Sequence, residues 1–447
     1  MADQSFSTDN FRKILDLENR KGIYLEGRFF PNVKLITEKI KRCKAEIRDK
    51  KKDRIENKEE LDVLNNKKKI LEKDWEEKLT DELQKVSENI TSRAFKIEFK
   101  KVDIPDDKPI YTVDINSPEN YFVLKQLQRN VAKLFDVKQS NRSEIVSQVK
   151  FLLGDRFPKY VLRTDIKDFY ENIPHEKILK KINENNLLSP FSSKIIRQIL
   201  NKYKEESSSN KGVPRGIGVS AYLAELYMRD IDSEILRLDE VTYYARYVDD
   251  IIIIFTPTSN NQNVDYKKYI RDLVKKKFHL KLNSRKTILF DLRGQSQSYE
   301  LNYLGYKMSF GIEETKTELT EKKYKKYKER INLAFNDYIN FSKINEKIAR
   351  KLLIKRIRFL TGNTRLANNK RNILTGIYYS NNQLTEFERL KNLDKYLKKI
   401  IKTQINSSQL RSRLEKYGFE NGFKTKRFSP FNTRELSEIM KIWKRKF

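Results

Sequence analysis

Apolar residues are sparse but regular over the early part of the chain. From Val33 to Ile90 the sequence is charged and helix-favouring. Ile36, Ile40, Cys43 and Ile47 follow a four-three-four spacing, and Leu79, Leu83, Val86 and Ile90 repeat it, with a very polar stretch from Arg48 to Glu60 between them. That periodicity marks one buried stripe on each of two helices and predicts an arm or helical hairpin. A pair of solvated helices and an oligomerisation or RNA-holding arm both fit it. The first thirty residues are mixed and are expected to pack on something rather than fold alone. Phe95, Ile97 and Phe99 then alternate, Pro105 to Pro109 turns, and Tyr111 to Val113 returns, which predicts a β-hairpin. Ser117-Pro118 opens a helix with Leu124, Leu127, Val131 and Leu134 on one face.

The middle of the chain changes period. Tyr160 to Asp165 reads as a short apolar strand ending on an acid, followed by a turn and a helix opened by Pro174. Gly212 to Ser220, GVPRGIGVS, precedes a helix with Leu223, Tyr227, Ile231 and Ile235 at helical spacing, and Gly216 and Gly218 permit close backbone approach to a flat ligand. An ordinary Gly-Pro turn capped by Ser220 explains the same residues. Tyr243 to Arg246 and Ile251 to Phe255 are strand-forming runs around Tyr247, Val248, Asp249 and Asp250, so two adjacent carboxylates fall at the turn of a second hairpin. After Leu319 the pattern is helical to the end, interrupted by the polar segment Phe359 to Asn382.

Composition adds a partner. The 447 residues hold 94 Lys and Arg against 62 Asp and Glu, a net charge of +32. From Lys316 onward there are 34 basic and 12 acidic residues, net +22, so most of the excess lies in the C-terminal part. A field of this size binds polyanions on electrostatics alone. The single Cys43 excludes an intrachain disulfide and a thiolate zinc site, and two histidines leave little scope for other metal ligation. No apolar run approaches a membrane span, and the start lacks a basic and apolar leader, so a cytoplasmic location without membrane contact is expected.

Three acids then carry the candidate chemistry. Asp249 beside Asp250 at a turn is self-repelling unless a cation neutralises the pair, and Asp165 at the end of a buried strand points into a cleft. The glycine segment has neither the spacing of a Walker loop nor that of a dinucleotide fingerprint.

In this order the segments resemble the palm of reverse transcriptases. Leu280, Leu282, Asn283, Lys286 and Thr287 match the family's next motif, and Leu304-Gly305-Tyr306 matches its primer-grip hairpin, so the resemblance covers about residues 95 to 310. It implies an α+β right-hand polymerase: an N-terminal segment and helical arm (1–92), fingers and palm with an antiparallel sheet (93–315), and a basic α-helical thumb (316–447). It also implies that Asp165 and Asp249 bridge two Mg²⁺ ions, with Asp250 as a third acid and the Ile166 carbonyl as a further ligand. Hard cations about 3.5 to 4 Å apart activate a primer 3′-hydroxyl and stabilise leaving pyrophosphate, which calls for oxygen ligands. Tyr170 stands where the family places a steric gate against the ribose 2′-hydroxyl, implying deoxynucleoside triphosphates as substrates.

Arg215 departs from the glutamine common at its position, a change that bears on fidelity and template choice; a guanidinium there can hold template backbone or triphosphate. Gly216 beside it and Lys108 in the fingers complete the implied nucleotide site. Lys286 is a candidate proton donor to pyrophosphate, or a solvated strand-end lysine. Arg365, Lys370, Arg371 and Tyr378, with Leu304 and Gly305, are candidate nucleic-acid contacts; a polar inter-helix loop beside two core tyrosines is the plainer reading of the first four.

Asp168 to His175, Gly212 to Tyr227, Phe359 to Leu366 and Gln4 to Gly22 are more narrowly similar to bacterial defence-associated, abortive-infection-like reverse transcriptases. Within them the chain is most similar to the smaller enzyme of the two-enzyme type 3 defence system. That implies a structured non-coding RNA as template, a DNA product, a second reverse transcriptase subunit and a higher-order oligomer. Two rival functions stand beside RNA-directed DNA synthesis: a template-independent deoxynucleotidyl transferase on the same palm, and an inactive RNA-binding scaffold.

Overall fold

The structure is a computed structural model that describes residues 3–20, 23–51, 58–105, 108–114, 116–137, 140–184, 186–258, 264–294, 297–312, 314–366 and 373–444. These form two compact units: Met1–Gln139 with Ile166–Arg237 and Lys268–Asn283, and Ser140–Asp165 with Leu238–Lys267 and Ser284–Phe447.

In the first unit the predicted arm is present. Helices Pro31–Lys50 and Lys58–Thr91 bury the two periodic stripes and little else. Near the polar connection Cys43, Ile47 and Leu61 form a small separate core, where the Cys43 thiol donates to the Leu64 carbonyl at 3.4 Å. Toward the base, Leu79, Leu83 and Ile90 are fully buried. The N-terminal residues pack on this unit as expected: Phe11 lies 5.2 Å from Phe122, Phe6 lies 4.8 Å from Phe191, and Asn130 donates to the Gln4 carbonyl.

Strands β1 (Phe99–Val102) and β2 (Ile110–Val113) pair antiparallel. The first begins later than the alternation suggests: after the helix ends at Thr91 the chain turns, the Phe95 N–H donating to the Ser92 carbonyl at 3.3 Å, and pairing starts only at Phe99. Helix Pro118–Leu134 is capped by Ser117, which accepts from the Asn120 N–H at 3.1 Å. Helix Gly218–Leu236 starts two residues before Ser220, so Ser220 is a buried first-turn residue and not the cap.

The second unit is built on a four-stranded antiparallel sheet of β3 (Tyr160–Asp165), β4 (Val241–Tyr247), β5 (Asp250–Phe255) and β6 (Ile288–Asp291), in the order β4-β5-β3-β6. Ile251 to Phe255 are all buried, which is why β5 reads as an unbroken apolar run rather than an alternation. A three-stranded sheet of β7 (Tyr299–Tyr303), β8 (Tyr306–Phe310) and β9 (Lys316–Leu319) follows. Helix Glu321–Thr361 breaks at Asn345 (φ −149°, ψ 92°), whose side chain accepts from the Ile348 N–H and caps the second segment.

The expected polar interruption at Phe359 to Asn382 contains a β-hairpin, β10 (Asn363–Leu366) with β11 (Ile373–Gly376). The C-terminal region is therefore helical with strand insertions rather than wholly helical. One continuous core runs from the sheet residues Ile252 and Phe290 through Met308, Phe335 and Leu353 to Leu393 and Ile439.

Candidate active site

In the second unit, β3 and β5 pair so that Asp165 faces Asp250, and β4 and β5 pair so that Tyr247 faces Asp250. Only Val248 and Asp249 lie in the turn, so Asp250 opens β5 instead of sharing the turn as the sequence suggested. Directly opposed residues of an antiparallel pair share a face, as do residues two apart on a strand; Asp165, Asp250 and Arg163 therefore project together. Val248 has φ +60°, unusual for a β-branched residue, and its carbonyl accepts from Arg246 at 2.9 Å. The strained turn fixes where Asp249 is presented.

Two cations answer these acids. Lys286 Nζ donates to Asp165 Oδ2 at 2.7 Å, and Arg163 donates to Asp250 Oδ1 at 2.5 Å and to the Lys286 carbonyl at 3.0 Å. Thr164 and Thr287 hydroxyls meet at 2.8 Å behind them. Burial pushes the Asp249 carboxyl above its ordinary range, reinforced by repulsion from Asp165 and Asp250 and opposed by Lys286. Burial likewise raises Asp250, with Asp165 repelling and Arg163 and Lys286 opposing. Among the described residues no group of three or more His, Cys, Asp or Glu side chains is arranged to hold a metal ion. The donor chemistry nevertheless fits a hard cation: three oxygen-only side chains, two of them partly buried and disfavoured as bare anions. Arg163 was not singled out in the sequence, although a lone arginine in an otherwise apolar strand demands an anionic partner.

The β7–β8 turn lies in the same unit. Leu304 and Gly305 have φ +44° and +77°, and the Arg142 guanidinium donates to the Leu304 carbonyl. Leu304 and Gly305 share a cavity of about 520 Å³ with Arg163, Asp250, Asn302 and Thr320. Arg142 and Lys323 lie 5.3 and 4.8 Å from the Tyr306 ring, and burial with Arg142 alongside pushes the Lys323 amine down to about 7.

Of the remaining nucleic-acid candidates, Arg365 is exposed on β10. Tyr378 is half-buried, with its ring 5.3 Å from both Tyr379 and Phe423, so Tyr379 is the more exposed tyrosine. Lys370 and Arg371 lie outside the described residues.

The first unit holds the other candidates. Ile166 is buried and its backbone bridges Leu282. Tyr170 lies on the short helix Phe169–Asn172, with the Arg215 guanidinium 5.4 Å from its ring. Arg215 donates to Glu171 at 2.6 Å, and Lys108 donates to Asp168 at 2.5 Å and Glu171 at 3.1 Å. The Tyr111 N–H donates to the Arg215 carbonyl at 2.6 Å, and a Cβ on Gly216 (φ +93°) would stand 2.5 Å from the Tyr111 carbonyl oxygen. The close approach that Gly216 permits is thus to β2. Sequence reading missed Glu171, which looked like one more surface acid in a charged chain.

Residues 119–308 match the family of reverse transcriptases (RNA-dependent DNA polymerases), which is what this segment is similar to. The mixed helix and antiparallel-sheet architecture is that of a right-hand polymerase with helical arms. No curated protein matches the chain. Matching solved structures include telomerase from Candida albicans in complex with a TWJ fragment of telomeric RNA (12% identity, 81% of this chain and 63% of that one, TM-score 0.38). Others are apo telomerase from Candida tropicalis (13%, 79% and 63%, TM-score 0.39) and a form of it truncated from the C-terminal domain (16%, 51% and 56%, TM-score 0.35). The chain spans less than two thirds of the length of each. Among the described residues no helix is long and apolar enough to cross a membrane.

Proposed function

We propose that the reverse transcriptase domain at residues 119–308 makes this chain an RNA-directed DNA polymerase that works with two Mg²⁺ ions held by Asp165, Asp249 and Asp250 and the Ile166 carbonyl. The observation that carries the reading is the Asp165–Asp250 register with Asp249 at the adjoining turn, which puts one buried and two partly buried, mutually repelling carboxylates inside the matched segment. Bound Mg²⁺ supplies activation of the primer 3′-hydroxyl and neutralises charge on the leaving pyrophosphate. The protein's own groups do the positioning. Lys286 moves between Asp165 and the pyrophosphate oxygens, delivering a proton there, and Arg163 keeps Asp250 oriented. Tyr170 excludes a ribose 2′-hydroxyl, so deoxynucleotides are the substrates. Lys108 and Arg215, with the backbone at Gly216, bind the triphosphate, while Leu304 and Gly305 hold the primer end.

The thumb's excess positive charge suits a nucleic-acid duplex, with Arg365, Lys370, Arg371 and Tyr378 as contacts. The defence-associated sequence segments support a finer reading: a structured non-coding RNA is copied in anti-phage defence, in the cytoplasm, with a second reverse transcriptase in a larger oligomer. Primer extension on an RNA template with Mg²⁺ and deoxynucleotides tests the core of this. Extension by the wild type and none by Asp249→Ala is expected; a mutant that extends normally overturns the metal assignment.

A further inference from the structure

Glu171 stands at the centre of a four-charge cluster in the first unit. Its carboxylate accepts from Arg215 through both oxygens, at 2.6 and 3.5 Å, and from Lys108 at 3.1 Å, while Lys108 also reaches Asp168. The two cations arrive from separate pieces of backbone, the approach to β2 and the glycine segment. The glycine segment is pinned on two sides: Tyr111 donates to the Arg215 carbonyl, and Gly212 and Val213 donate at 2.7 Å to the carbonyls of Ile173 and Tyr170. With the backbone held, the Arg215 side chain meets Glu171 and the Tyr170 ring. The Arg215 and Lys108 contacts draw the Glu171 carboxyl below its ordinary range against the opposing effect of burial, so it stays ionised at neutral pH.

The formal charge of Lys108, Arg215, Asp168 and Glu171 together is zero. Both cations are already answered by carboxylates, so the charge-assisted bonds they make to a polyphosphate compete with the bonds they make to Glu171 and Asp168. Resting on the reading that Lys108 and Arg215 take the triphosphate, we propose that Glu171 is a positioning residue that competes with the incoming triphosphate for both cations. It holds them at a fixed spacing and sets the deoxynucleotide concentration at which the site fills. Glu171 itself touches no reacting atom.

The test is Glu171→Gln, which keeps an oxygen for the Arg215 fork and removes the charge. The KM for deoxynucleotide is expected to fall about three- to ten-fold with kcat within about two-fold, the size of one charge-assisted contact. Equilibrium binding of deoxynucleoside mono-, di- and triphosphates should tighten progressively with phosphate number, a gradient that a merely structural role cannot produce. Glu171→Asp should restore wild-type values. An unchanged or raised KM, or equal gains for all three nucleotides, overturns the inference, and a melting temperature within about 2 °C of wild type excludes misfolding as the cause. Lys108→Ala and Arg215→Ala separate the two layers. If neither weakens triphosphate binding, the nucleotide site itself is misassigned; if both do and Glu171→Gln does not tighten it, only the competition fails.

Discussion

Asp249→Asn should make the protein more stable and inactive at once. Asp165 and Asp250 each have a cation, Lys286 and Arg163, so removing either acid strands a positive charge; neutralising Asp249 removes repulsion with less collateral loss. The Asp249 anion is penalised first by burial and then by repulsion from Asp165 and Asp250; as a scale, two unit charges about 5 Å apart interact by about 3 kcal/mol at an effective dielectric of about 20. Partial exposure and Lys286 reduce that to about 1 to 2 kcal/mol. At about 2 to 4 °C per kcal/mol, the melting temperature in EDTA should rise by about 2 to 8 °C. Differential scanning fluorimetry with and without Mg²⁺ reads this directly: Mg²⁺ should stabilise the wild type and leave the variant nearly unmoved, while primer extension is lost. A variant that melts at or below the wild type in EDTA would refute the claim that Asp249 is held against electrostatic cost.

Arg163→Met leaves Asp250 without its partner and should cost about 1 to 3 kcal/mol by urea denaturation, with much of that recovered in the Arg163→Met, Asp250→Asn double variant. Tyr170→Ala should lower the preference for deoxynucleotides over ribonucleotides at least ten-fold in single-nucleotide incorporation; unchanged discrimination removes Tyr170 from the gate. Gly216→Ala drives a methyl into the Tyr111 carbonyl and should destabilise by more than about 1 kcal/mol in the same denaturation assay. Lys323 is depressed to about 7, so between about pH 7 and its unfolded value of 10.5 the unfolded chain binds more protons than the folded one. Stability from this group therefore rises with pH across that window and is flat below it. Thermal melts from pH 7 to 10 should show the rise flattened in Lys323→Met.

The elements that a local pattern can encode were readable in the sequence. The arm was legible because solvent on one side and a partner helix on the other force a four-three-four spacing, and the buried residues are those of that spacing. The acid hairpin was legible because β5 is buried from Ile251 to Phe255 and begins abruptly on a carboxylate. Pairing across strands was not. That Arg163 serves Asp250 and Lys286 serves Asp165 follows from the register of β3 against β5 and from the chain's return near residue 286, which no single segment specifies. The β10–β11 hairpin escaped notice because Asn363, Thr364 and Arg365 look like loop residues, while Asn363 and Thr364 are in fact buried and Asn363 donates to the Gly422 carbonyl. Glu171 was hidden for a related reason: in a chain so rich in charge, composition does not tell a surface acid from one that joins two cations.

Cys43 gives the helical arm a chemical clock. It is the sole thiol of the chain and is 2% exposed in the small core shared with Ile47 and Leu61, so an alkylating reagent reaches it when that end of the hairpin parts. Labelling kinetics followed by intact mass therefore measure the opening equilibrium of this one element, without mutation or added probe, against a background that contributes no signal. Anything that seats on the distal arm and holds its helices together will slow that reaction.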